Sequence, residues 1–335
     1  MKPGQLKWTM LAMLVMIGIL ASCQKPFHDE NERYIFVASN ISLPYWQEAQ
    51  AGFRDSAHSL GVKSEFTGPE AYSPQEELAA FQQAVSKHPA GILVSPARPD
   101  IFKSAIDDAI KSGIPVICVD SDAPESQRLL FIGTDNFQAG IESGKRMAEL
   151  LHGKGSIVLI SIPGQLNLDE RVRGVNEALK KFPEIKIVKT LDDKGDSRSA
   201  NDQIGALLEN KDHKEKMDGI ICLEASGGAG AAETLHRLNL EGKIPIIAMD
   251  DSPNTLDWIS SGVISATIAQ KPYTMSFYGL KLLDDLHHNV VHDFKDWRTS
   301  PVSPLPAKVD TGTTVIDSSN LAAYRSAAVA HPSEP

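Results

Sequence analysis

Lys111-Ser112-Gly113-Ile114-Pro115-Val116-Ile117-Cys118-Val119-Asp120 is the stretch on which the fold turns. It leaves an amphipathic helix, passes a glycine just beyond the last turn, and enters a short run without a polar residue. Glycine past a helix end supplies the left-handed backbone that closes the helix. An apolar run this short, unbroken by alternation, is a strand covered on both faces. Helix, stop and buried strand in that order are half of a βαβ unit, the repeat of a parallel sheet.

The rhythm continues in both directions. In the first half, strands are expected at Tyr34–Ser39, Val62–Phe66, Gly91–Ser95, Pro115–Val119 and Leu130–Ile132, with helices at Tyr45–Leu60, Pro74–Lys87 and Pro99–Lys111. In the second half, strands are expected at Ser156–Ser161, Ile185–Leu191, Gly219–Leu223, Ile244–Met249 and Ser265–Ala269. Its helices are expected at Gln138–His152, Glu170–Phe182, Ser197–Asn210, Gly228–Leu240 and Pro253–Ser260, and Pro272–His288 follows the last strand. This is an α/β chain with two successive doubly wound parallel sheets, and 335 residues suffice for two domains. Short strands are also expected near Ala307–Val309 and Thr313–Ile316, and the Ala- and Ser-rich residues 321–335 read as a frayed tail.

The first segment stands apart. Lys2 and Lys7 precede an uncharged apolar run, Trp8 to Leu20, of thirteen residues. A membrane-spanning helix needs roughly 20, so a plain transmembrane anchor is the weaker alternative to a signal peptide over residues 1–22. Leu20-Ala21-Ser22-Cys23 resembles the bacterial lipobox, which implies cleavage before Cys23 and a lipid on its sulfur; two acyl chains hold a protein on a membrane where one is marginal. Residues 23–33 then read as a tether. Setting aside Lys2 and Lys7 leaves 31 basic against 43 acidic residues, a formal charge of −12 that nucleic acid phosphates would repel. Cys118 and Cys222 lie inside apolar runs and read as small buried hydrophobes, with a disulfide between them as the alternative. The chain contains no CxxC, HExxH, GxSxG or GxxxxGK[ST], so no metal, cofactor, nucleophile elbow or nucleotide site is expected.

Ligands of open parallel sheets sit beyond the carboxyl ends of the strands. That rule selects Asn40 to Trp46 and Asp120-Ser121-Asp122 in the first half. In the second it selects Gln165 to Arg173, Asp192 to Asp196, Glu224-Ala225-Ser226, Asp250-Asp251 and Gln270. Leu43-Pro44-Tyr45-Trp46, Ile117-Cys118-Val119-Asp120, Gly133-Thr134-Asp135-Asn136 with Gly140, and Arg171-Val172-Arg173-Gly174 follow one another along the chain. Ala248-Met249-Asp250, Thr267-Ile268-Ala269-Gln270-Lys271-Pro272 and Val309-Asp310-Thr311-Gly312 complete the series. In that order, over about Tyr34 to Ile316, they resemble the periplasmic ribose/galactose-type binding proteins, the sugar-binding family that shares its fold with LacI-type repressor cores. The resemblance implies two domains, 34–134 plus 271–296 and 135–270 plus 297–320, joined by a multi-strand hinge at Asp135 and Asn136 with the ligand in the cleft between them. It also implies a monomeric protein that binds without turnover.

Roles follow from side-chain chemistry. Tyr45 and Trp46 open a helix at a strand's carboxyl end, where a ring face covers the C–H face of a sugar; the bland alternative is an apolar helix start. Asp120 and Asp250 are acceptor-only groups for hydroxyl donors, or else helix caps. Arg171 offers several fixed donors, or else pairs with Asp169 or Glu170, and Arg173 is the weaker candidate. Gln270 can donate and accept at the crossover between domains, or simply brace the hinge. Ser121 and Glu224 complete the set. Ribose binders of the family carry Asn, Arg and Asn where this chain has Leu43, Ser121 and Glu224, and Gly195 falls where an aromatic is common. The cleft is therefore expected to be roomier and more acidic than a ribose site. Glu224 is expected either to favour an amine on the ligand or to turn toward solvent or a nearby cation.

The resemblance implies the solute receptor of an ABC importer, held by lipid at Cys23 on the extracytoplasmic face and working with a separate permease. A lipoprotein sensor presenting its ligand to a membrane receptor or kinase needs the same cleft. A sugar-responsive repressor would need an N-terminal helix-turn-helix where the signal segment stands. A glycosidase would need a carboxyl pair with one raised-pKa acid, which the sequence does not mark.

Overall fold

The apolar runs of the first half form one sheet in the computed structural model, which describes residues 27–29, 31–209, 217–289 and 305–330. Strands β1 (Arg33–Val37), β2 (Lys63–Thr67), β3 (Gly91–Val94), β4 (Val116–Val119) and β5 (Phe131–Gly133) alternate with α1 (Pro44–Leu60), α2 (Pro74–Ser86) and α3 (Pro99–Lys111). The chain then crosses through Thr134-Asp135 into α4 (Asn136–Leu150) and a second sheet. There β6 (Lys154–Ser161), β7 (Glu184–Asp192), β8 (Gly219–Cys222), β9 (Ile246–Met249) and β10 (Ala266–Ala269) alternate with α5 (Leu166–Leu179), α6 (Ser197–Glu209), α7 (Gly227–Arg237) and α8 (Pro253–Ser260). Helix α9 (Pro272–His288) returns to the first sheet, and β11 (Lys308–Asp310), β12 (Thr314–Asp317) and α10 (Leu321–Ala330) end the described chain.

The sheet orders are β11-β5-β4-β3-β1-β2 and β12-β10-β9-β8-β6-β7. Every pairing is parallel except that of β12 with β10. The order reverses between β1 and β3 and again between β6 and β8, and such reversals open a crevice at the carboxyl ends of the strands. Each sheet is covered on both faces. Tyr34, Phe36, Phe53, Leu93 and Leu280 fill one side of the first, and Ile35, Phe81, Ile92 and Phe102 the other. The second sheet is filled likewise on its two sides around Ile160, Ile220 and Ile246, and around Leu159, Ile221 and Ile247. Cys118 and Cys222 are free thiols buried in separate sheets.

Close packing of α4 on α5 fixes where the second domain's key side chains stand. A Cβ on Gly140 would lie 2.1 Å from Arg171 O, and one on Gly174 would lie 2.1 Å from Phe137 O. Only glycine allows that approach.

Three parts of the fold depart from the sequence reading. Residues 297–320 do not belong wholly to the second domain, because β11 pairs with β5 of the first sheet and only β12 joins the second. The third crossing therefore lies at residues 311–313, beside the first: Asp135 N–H donates to Asp310 Oδ1 at 3.0 Å and Thr311 N–H to Gly133 O at 2.9 Å. The residues taken as a frayed tail are helical to Ala330. Leu321 is buried in the second domain's core, Tyr324 donates to Asp251 Oδ2, and Arg325 pairs with Asp257 at 2.6 Å. The end of the expected tether is docked as well, since His28 and Glu32 bond to α9 and its neighbourhood. The signal segment and Cys23 lie outside the described residues.

Candidate functional site

Two aspartates end corresponding strands, Asp120 after β4 and Asp250 after β9. Both take left-handed backbone, with φ of 64° and 63°, a region that aspartate enters more readily than most residues. Their amides match too: Asp120 N–H donates to Ile132 O at 3.1 Å and Asp250 N–H to Ile268 O at 3.0 Å, each on the adjoining strand. At Asp120 the next amide folds back, Ser121 N–H donating to Val119 O at 2.7 Å. That is the strained, positive-φ form of the three-residue turn, and such strain collects at functional sites. The turn sends the Asp120 carboxylate into the cleft and Ser121 away from it. Ser121 is fully buried and lies outside the recess, contrary to the expectation that it touches ligand.

Between the aspartates lies a recess of about 60 Å³ walled by both domains. Asp120 Oδ1 accepts from the Tyr45 hydroxyl at 2.6 Å, and its Oδ2 faces Ser95 Oγ and Asn167 Nδ2, each at 3.3 Å. The Asn167 contact runs from one domain to the other, so the cleft stands nearly shut. Asp250 Oδ1 accepts from Gln270 Nε2 at 2.9 Å. A larger recess of about 390 Å³ continues outward, sharing Leu43, Tyr45, Ala225 and Asp250 with the first.

Arg171 is only 2 % exposed. Its helix begins at Leu166, four residues earlier than expected, which puts Arg171 in the second turn facing the hinge. Nε donates to Asn136 Oδ1 at 2.8 Å, Nη1 to Leu223 O at 2.7 Å and Nη2 to Gln270 Oε1 at 2.7 Å. Gln270 Oε1 also accepts from Thr134 Oγ1 at 2.8 Å. Gln270 thus braces two hinge crossings, and Arg171 draws α4, β8 and β10 together. Asp135 caps α4 by accepting from Gln138 N–H at 3.1 Å. Arg173 points outward to Glu170 at 3.3 Å.

Burial dominates the carboxyl groups. It raises Asp120 and pushes Asp250 up to about 7, against the pull of the Arg171 charge on both. Glu224 is also raised by burial, but the structure gives it different work from that expected. Its Oε2 accepts from Ser226 N–H at 2.6 Å and its Oε1 from Gly227 N–H, so it binds the first amides of α7. Asp193 lies beside it, raised by burial and then by the Glu224 charge. Two buried carboxyl groups this close titrate as a pair, and both are held above the ordinary carboxylate range. Glu224 reaches the recess rather than turning to solvent, and each oxygen, bound to one amide, keeps acceptor capacity toward the cleft.

Of the two rings expected at the cleft, Tyr45 stands in the wall with its hydroxyl on Asp120. Trp46 is 4 % exposed and belongs to the first domain's core, edge-on to Phe36 at 6.1 Å between centroids, reaching the recess from behind. Neighbouring helix positions are turned by about 100°, so the two rings meet the recess from different sides. A third ring in the lining is Tyr72, from the loop after β2.

Residues 34–288, from β1 to the end of α9, match the periplasmic binding protein domain. The chain belongs to that family. It is 26% identical over 262 residues to the D-allose-binding periplasmic protein of Escherichia coli, covering 75% of this chain and 83% of the relative. Among solved structures, it is similar to the sugar-binding protein of a sugar ABC transporter from Bacillus halodurans, at 37% identity and a TM-score of 0.77, over 88% of this chain and 100% of that one. The arabinose-binding protein AraP from Geobacillus stearothermophilus is 34% identical with a TM-score of 0.71, over 88% and 99%. In this periplasmic binding protein domain the recess also takes in Ser39, Asn40, Ile162, Gln165 and Asn167, which the sequence reading did not single out as ligand candidates. Gln165 Oε1 is buried with no hydrogen-bond partner among the described residues, an acceptor left for something in the cleft.

Proposed function

We propose that this protein is an extracytoplasmic receptor for a neutral polyhydroxyl ligand, a monosaccharide or polyol, which it holds between its domains without turnover and presents to the permease of an ABC importer. The observation that carries the reading is the matched pair Asp120 and Asp250, one from each domain, with Arg171 and Gln270 fixed at the hinge between them. Carboxylates accept and do not donate, so a wall holding Asp120, Asp250, Glu224 and the unpartnered Gln165 Oε1 suits a surface of hydroxyl donors. A sugar phosphate or uronate would add negative charge beside these carboxylates. Arg171 is the one cation of that wall among the described residues, and three of its N–H groups are already engaged. Tyr45 and Tyr72 offer ring faces to C–H surface. The relatives, an allose-binding, an arabinose-binding and a sugar-binding protein, support the same class of ligand. Leu20-Ala21-Ser22-Cys23 supports lipid attachment at Cys23 and a place on the outer face of a membrane.

A thermal-shift screen of pentoses, hexoses, polyols, uronic acids and sugar phosphates tests the reading, since a ligand stabilises by mass action. Neutral compounds should raise the unfolding temperature and the anionic ones should not. A phosphate or uronate that outperforms its neutral parent would overturn the proposal.

A further inference from the structure

Far from the cleft, four side chains converge at the amino end of β1. His28 and Glu32 come from the segment before the strand, and Asp284 and His288 lie one turn apart on the same face of α9. One donor atom from each lies within 4.8 Å of all the others. His28 Nε2 is 3.0 Å from Asp284 Oδ1, and His288 Nε2 is 3.1 Å from Glu32 Oε1 and 3.6 Å from Asp284 Oδ1. Bonds of about 2.0–2.1 Å in a tetrahedron set donor atoms about 3.3 Å apart; the three pairs above lie near that value, and the widest separation in the group, up to 4.8 Å, would close as the metal entered.

The two carboxylates are 7 % and 6 % exposed, a costly burial without compensation. The Tyr34 hydroxyl lies 2.8 Å from Glu32 Oε1 and 3.0 Å from Asp284 Oδ1, and its single proton serves only one of them at a time. The cluster therefore calls for positive charge, supplied either by protonated histidines or by a cation. We propose that it is a structural zinc site, with His28, Glu32, Asp284 and His288 as its four ligands and the Tyr34 hydroxyl orienting the carboxylates. Two imidazole nitrogens with two carboxylate oxygens suit Zn²⁺ and disfavour Ca²⁺ and Mg²⁺, which want all-oxygen shells. Four protein ligands leave no open position, which marks a structural role. The metal would staple the segment at residue 28 to the last helix of the first domain. The inference is independent of what binds the cleft, which lies about 20 Å away along β1.

The test uses the untagged full chain in detergent, stripped with EDTA and desalted, then titrated with ZnCl₂ against a chromogenic chelator. Bound metal is counted by elemental analysis, and Co²⁺ serves as a visible-absorption reporter of tetrahedral geometry. One equivalent of zinc should bind and raise the unfolding temperature, with MgCl₂ and CaCl₂ at the same concentration having no effect. His288→Ala and Asp284→Asn should each weaken zinc at least tenfold; His28→Gln, a change in the segment before β1 that keeps the domain's own contacts, should do the same. Less than one equivalent bound, six-coordinate cobalt spectra, or variants that bind zinc as the original does would each overturn the site.

Discussion

Arg171→Met removes the guanidinium while keeping most of the volume of its stem. Asn136 Oδ1 at 2.8 Å and Leu223 O at 2.7 Å then lose the guanidinium donor, and Gln270 Oε1 keeps only its bond from Thr134 Oγ1. Each buried acceptor left unpaired costs about 1–3 kcal/mol. Asp120 and Asp250 also lose the charge that holds their carboxyl groups down. Protonation and local shifts recover part of this, so the expected loss is about 3–5 kcal/mol, the range for removing one partner of a buried charge network. The position should be read against Arg173→Met on the same helix, whose side chain is 69 % exposed, paired with Glu170 and lying over the Phe137 ring at 5.6 Å; that change should stay within about 1 kcal/mol. Urea unfolding followed by tryptophan fluorescence measures both. Ligand affinity should fall at least about 100-fold in Arg171→Met, because the Gln270 brace for Asp250 goes with it. The reasoning is refuted if the two variants are equally stable, or if Arg171→Met still binds within a few-fold of the original.

Trp46→Ala should cost about 3–5 kcal/mol through the first domain's core, whereas Tyr45→Phe should leave stability within about 1.5 kcal/mol and weaken ligand by freeing Asp120; similar unfolding curves for the two would reverse these roles. Asp250, held up to about 7 by burial, contributes stability that is complete below the ordinary carboxylate range and lost as pH rises through about 7. Asparagine keeps the left-handed backbone and cannot ionise, so ligand-free Asp250→Asn should match the original near pH 4 and exceed it by roughly 4 kcal/mol near pH 8; parallel melting curves across that range would exclude Asp250 as the titrating group. Cys23→Ala should abolish lipid attachment and release the protein from membranes in a detergent-partition assay, and a variant that still partitions with detergent would contradict the lipobox reading.

The two sheets were legible because strands covered on both faces leave unbroken apolar runs such as Val116–Val119 and Ile246–Met249. Asp120, Asp250 and Gln270 were legible because strand ends locate the cleft without side-chain detail. Gln165, Asn167, Tyr72 and Asp193 lie in or beside irregular loops, where no periodicity says which way a side chain faces. Ser121 stands elsewhere because it follows the residue that does face the cleft and a tight turn carries it away, whereas Trp46 lines the recess from the side of the core. Residues 321–330 were misread from composition, though Leu-Ala-Ala is good helix-forming sequence and Leu321 has a core to enter. Residues 308–310 were assigned to the wrong domain because three residues carry too little pattern to choose between two sheets.

The central claim is that one neutral polyhydroxyl ligand is held from both domains at once by the two strand-end aspartates. A crystal structure of the protein grown with the best neutral compound from the screen tests it most directly. The account predicts ligand hydroxyls donating to both Asp120 and Asp250 with Arg171 unmoved; a ligand bound outside the cleft, or touching only one of the two carboxylates, would contradict it.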